Sequence, residues 1–162
     1  FGFDVGMLLA NFLLGFFAQS GHEATPGDRD GYRRWLLGVT RDTWDVFAAE
    51  FSHLWRTERI GILYQRSLYE DQGDVLASEQ ALQGVLAGIW ADAMGFCGVE
   101  MHRRILGLAH VEDLESITDD SRRLMAERRA LAMGRHVAVN RAMITMAGLT
   151  DTALRIEAED LA

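Results

Sequence analysis

Apolar positions recur along most of this chain with a helical period, and no segment carries the two-residue alternation of a half-buried strand. Residues 5–18 are apolar all round except for Asn11, which predicts a buried helix over about 3–19, ended by Ser20, Gly21 and His22. A loop through Pro26 follows. Asp28 or Asp30 then caps a long second helix reaching about Arg56, with Trp35, Leu36, Val39, Phe47, Phe51 and Trp55 among its apolar positions and Gly38 as a point of bending. Residues 60–69 are ambiguous and are read as a further helix, and 71–74 as a turn. Ser78 and Glu79 open a central helix running to about Leu108. Residues 111–117 form a connector, Thr118 caps a helix over 119–143, and Thr150 caps a last one to about Asp160. The expected fold is an all-α bundle forming one domain over residues 1–162.

The central helix carries the chemistry. At 100° per residue Trp90, Met94, Cys97, Met101, Ile105 and Leu108 share one stripe, flanked by Arg104, while Arg103 points to a second apolar face between Phe96 and Val99. From 81 to 108 the only other charges are Asp92 and Glu100. Arginine is seldom buried without a partner, and removing one partner of a buried pair costs roughly 3–5 kcal/mol. Arg103 and Arg104 therefore need an anion. It is either an internal carboxylate or a ligand gripped by their planar donors, and spacing alone leaves both open.

Composition narrows the setting. A chain of 162 residues with 49% hydrophobic content supports one domain with a real core. The formal charge of −8 opposes general nucleic-acid binding. A single cysteine, Cys97, excludes an internal disulfide and fits a reducing, cytoplasmic setting. The apolar run at 5–18 falls short of the roughly 20 residues of a membrane helix, so no membrane contact is expected. All 16 basic residues are arginine, and the chain starts at Phe1. Nucleotide kinases place a lysine on the phosphates, which this chain cannot supply, so it reads as a segment of a longer protein.

Other candidates have plainer explanations. Glu50 and His53 have di-iron spacing but no second copy, so no metal site is expected. Arg122, Arg123, Arg128 and Arg129 alternate with Asp119, Asp120 and Glu127, as on a solvated salt-bridged face. Cys97 reads as a small buried residue, and His110 as a packed or capping histidine or a substrate contact. Asp4 reads as a first-turn or capping acid.

Three stretches resemble the S-methyl-5-thioribose kinases, of the aminoglycoside-phosphotransferase-like branch of the kinase fold. They are FGFDVGMLLANFLLGFFAQSGH at 1–22, GYRRWLLGVTRDTWDVFAAEF at 31–51 and AGIWADAMGFCGVEMHRRILGLAHVEDLESI at 87–117. The likeness spans about residues 1–140, is most specific in the third stretch and fades after Asn140. It implies the helical C-terminal part of a kinase large lobe, transferring the ATP γ-phosphoryl group to the 1-hydroxyl of 5-methylthioribose in methionine salvage. ATP, Mg²⁺, the nucleotide-binding lobe and the catalytic loop are then supplied from outside this chain, which holds no catalytic residue of its own. The family's paired substrate-binding arginines match Arg103 and Arg104. Asp4 matches an aspartate that braces the catalytic loop. A homodimer acting on a small sugar is also implied. The alternatives are a sibling kinase for an aminoglycoside or choline, and a non-enzymatic helical module that binds an anion through the same arginines.

Overall fold

A computed structural model describes residues 1–159, and these contain six α-helices and no strand. The helices are α1 (Gly2–Ala18), α2 (Asp30–Thr57), α3 (Val75–Leu106), the single turn α4 (Glu112–Glu115), α5 (Asp120–Val139) and α6 (Met146–Ala158). A 3-10 turn, Gln19–His22, extends α1.

The apolar character of α1 on all sides puts it at the centre of the bundle. Leu9, Leu13, Leu14, Phe16 and Phe17 are completely buried, each contributing about 1.5–3 kcal/mol by burial. The main core joins these to Met94, Cys97 and Met101 of α3, Met133 and Val137 of α5, and Leu149 and Ile156 of α6. Close helix approach depends on glycine. A Cβ on Gly6 would strike the Ala93 carbonyl of α3, and one on Gly98 would strike the Gly134 carbonyl of α5. The helix bearing the two arginines is thus clamped between α1 and α5. A second, smaller core joins the far halves of α2 and α3 through Trp55, Leu82 and Leu86.

Hydrogen bonding corrects several predicted boundaries. α3 begins three residues before Ser78, because the Asp74 carboxylate accepts from the Ala77 amide. Ser78 is instead buried, donating to Glu70 and accepting from the Trp55 indole and from Arg59. Asp119, not Thr118, caps α5, and that helix ends at Val139. Thr145, not Thr150, caps α6; Thr150 lies inside it and donates to the Met146 and Ala147 carbonyls. The predicted end at Asp160 lies outside the described residues. Asp30 is the first residue of α2, and Asp28 accepts instead from the Ala24 and Thr25 amides of the preceding loop. α2 runs unbroken through Gly38. Within 60–69 only Arg66–Leu68 is helical, as a 3-10 turn. Ile60, Ile62 and Leu63 remain exposed, so no buried face holds a longer helix there.

With its 3-10 extension the first helical stretch is Gly2–His22, and it and α3 are each long and apolar enough to cross a membrane. The most apolar window of the first stretch is two-thirds buried inside the bundle, as a core helix is.

Candidate functional site

The anion demanded by Arg103 and Arg104 is Glu100, one turn back on the same helix. Its side chain is 1% exposed. Arg103 lies at i+3 and donates from Nε to Oε2 at 2.6 Å and from Nη2 to Oε1 at 2.8 Å. Arg104 lies at i+4 and donates from Nε to Oε1 at 2.6 Å. Burial acts to raise the Glu100 pKa, but the hydrogen bonds and charges of Arg103 and Arg104 outweigh it and hold the carboxyl below the usual glutamate range. Glu100 is therefore a carboxylate.

One carboxylate against two guanidiniums leaves one positive charge in excess. The arginines are not sealed in: their side chains are 46% and 27% exposed. Glu100 occupies the inner edges of both groups. On the outer edges, the one further bond among the described residues is a long contact of 3.4 Å from Arg104 Nη1 to the Ala109 carbonyl. Planar donors and net charge thus face solvent, an arrangement suited to oxygen-rich or anionic ligands. A shallow cavity of about 370 Å³, lined by Asp92, Phe96, Val99 and Arg141, lies further back along α3, and neither Arg103 nor Arg104 lines it.

The remaining candidates separate clearly. Asp4 is in the first turn of α1 and its side chain is 81% exposed, so the carboxylate is displayed on the surface and does not cap the helix. His110 is partly exposed, with Nδ1 3.6 Å from Glu115. Cys97 is buried, and its desolvation together with the Glu100 charge pushes the thiol up to about 12, which removes it as a nucleophile. No three metal-ligating side chains cluster among the described residues.

The basic stretch of α5 needs correction. Arg123 does pair locally with Asp120. Arg122, however, donates to the Glu23 carbonyl, and Arg129 is largely buried against Glu157 of α6. The stretch is in part an internal brace. A feature missed in the sequence is an open apolar groove of about 660 Å³ at the end of α2, bounded by Phe1, Phe51, Trp55 and Tyr64. Neither Arg103 nor Arg104 lines it.

No family model matches the chain. Individual proteins do. Methylthioribose kinase 1 of rice is 38% identical over 132 residues, covering 80% of this chain and 30% of that protein. The methylthioribose kinase of Geobacillus kaustophilus is 38% identical over 144 residues, 89% of this chain and 31% of the relative. That of Escherichia coli is 36% identical over 138 residues, 85% and 32%. Coverage of 80% or more of 162 residues necessarily takes in Arg103 and Arg104. The chain is thus homologous to a segment of the methylthioribose kinases and spans about 30% of the length of the relatives it matches.

Proposed function

We propose that this chain is the sugar-binding, helical part of the large lobe of a cytoplasmic, homodimeric kinase that phosphorylates the 1-hydroxyl of 5-methylthioribose. The supporting observation is the pair Arg103 and Arg104, partly open to solvent with one positive charge in excess, within the stretch shared with methylthioribose kinases. Phosphoryl transfer depends mainly on alignment and charge stabilisation. Two guanidiniums fixed at their inner edges can grip sugar oxygens with their outer ones. Their surplus charge also favours the negative charge that gathers at the reacting hydroxyl.

The chain has no lysine to place on a nucleotide's phosphates, and the described residues hold no cluster of three metal ligands. In this reading ATP and Mg²⁺ are held by the remainder of the kinase, and Asp4, exposed at the start of α1, braces the catalytic loop there.

The test is steady-state kinetics of the complete kinase. Arg103→Ala and Arg104→Ala should each lower turnover of 5-methylthioribose at least about a hundredfold, the scale of removing one preorganised donor. Near-normal kinetics in both variants would refute the assignment. Faster turnover of choline or an aminoglycoside in the same assay would move the activity to a sibling kinase.

A further inference from the structure

Consecutive residues on an α-helix project about 100° apart, so Arg103 and Arg104 would by default point to different sides of α3. Their like charges would separate them further. In this structure they converge, and the cause is Glu100. All three of its short hydrogen bonds go to these two guanidiniums, with Oε1 shared between Arg103 Nη2 and Arg104 Nε and Oε2 taken by Arg103 Nε. Its carboxylate is 1% exposed and sits on the helix clamped by α1 and α5. It is therefore a fixed point, whereas a surface acid would move with its partners.

We propose that Glu100 is a positioning residue: it brings the two guanidiniums side by side with their outer edges forward, and it limits their site to a single positive charge. The first effect removes arginine rotamer freedom before a ligand arrives, which favours binding of a rigid polyhydroxyl ring. The second sets specificity. A site with two uncompensated guanidiniums favours a free phosphate dianion over an uncharged sugar, and one internal carboxylate reduces that preference. The proposal rests on the reading of Arg103 and Arg104 as sugar-gripping residues.

The experiment compares Glu100→Gln, Glu100→Asp, Arg103→Ala and Arg104→Ala in the complete kinase, with 5-methylthioribose as substrate and inorganic phosphate as an inhibitor competing with it. Glutamine nearly preserves shape but removes the charge. Glu100→Gln should raise KM for the sugar about tenfold, with a smaller change in kcat, and tighten phosphate inhibition about threefold or more. Aspartate keeps the charge but withdraws the carboxylate by one methylene. Glu100→Asp should raise the sugar KM without tightening phosphate. These opposite movements distinguish positioning from general damage, which weakens both ligands together and would overturn the proposal. If Glu100→Gln does not fold, Glu100→Asp decides, and an unchanged sugar KM there overturns it. Impaired arginine variants beside a normal Glu100→Gln defeat the role of Glu100 alone. Normal arginine variants defeat the underlying sugar-site reading.

Discussion

Glu100 and Glu157 each place a carboxylate between two arginines, with different consequences. Glu100 takes both partners from its own helix, at i+3 and i+4, and leaves them partly exposed. Glu157 of α6 draws Arg33 from α2 and Arg129 from α5, each only 13% exposed. Arg33 also pairs with Glu23 and Asp30, so this second cluster holds two guanidiniums and three carboxylates. Its ion-paired groups number three acids to two arginines, where the Glu100 cluster has one acid to two arginines. The residue types are the same, but the inner cluster turns most of its donors on three helices, with Arg129 Nε left unpaired among the described residues, and the outer one leaves donors facing solvent. The presence of an arginine pair is thus less informative than its charge balance and where its remaining hydrogens point.

Stability measurements can break this comparison. The largest effect is expected for Arg33→Ala, which strands Glu23 and leaves Glu157 with Arg129 alone in a largely buried setting, and it should cost roughly 3 kcal/mol in urea unfolding. A loss no greater than that of an exposed-pair variant would erase the distinction between brace and clamp.

The acid limb of the stability curve should show a smaller, signed difference. Burial holds the Glu157 carboxyl above the ordinary range despite Arg129 and Arg33, whereas the arginines hold that of Glu100 below it. For a raised acid, the folded state takes up a proton first, so its contribution improves as pH falls from the folded pKa to the ordinary value. For a lowered acid, the contribution is full above the ordinary value and is lost as pH falls through the folded pKa. Relative to the unmodified protein, Glu157→Gln should therefore lose relative stability between neutrality and about pH 4.5, and Glu100→Gln should be less sensitive below it. Thermal midpoints measured from pH 7 to 3 read both slopes, and a reversal of either sign contradicts the assignment. The smallest effect is expected for Arg103→Ala, whose unfolding midpoint should move less than that of Arg33→Ala, because Arg104 still compensates Glu100 and loss of the 46% exposed Arg103 side chain lets water reach Oε2. A large stability loss there would make Arg103 a structural brace like Arg33.

Much of this organisation was legible in the sequence. The all-round apolar character of residues 5–18 identified α1 as a core helix, and its observed bounds differ from the predicted ones by one residue at each end. The need of Arg103 and Arg104 for an anion was also legible, as was the presence of Glu100 nearby, although its i, i+3 and i+4 spacing was not used to assign the pair. The helix starts failed for a common reason. Asp74, Asp119 and Thr145 cap their helices, while the neighbours Ser78, Thr118 and Thr150 are equally competent by residue type. For Ser78 the tertiary partners Glu70, Trp55 and Arg59 decide, whereas Thr150 spends its hydroxyl on carbonyls of its own helix. Arg129 failed similarly: local alternation with acids placed it on a solvated face, but Glu157 lies 28 residues away in sequence.

Local periodicity determined what lies within one element: an all-helical chain, an apolar centre and two adjacent arginines on the central helix. These depend on neighbours three or four positions apart, which the order of residues specifies directly. Only the packed structure decided that Arg33 and Arg129 meet Glu157, and how much of each arginine stays in water. Those outcomes come from contacts between distant segments, where burial and long-range pairing select among partners that look equivalent along the chain.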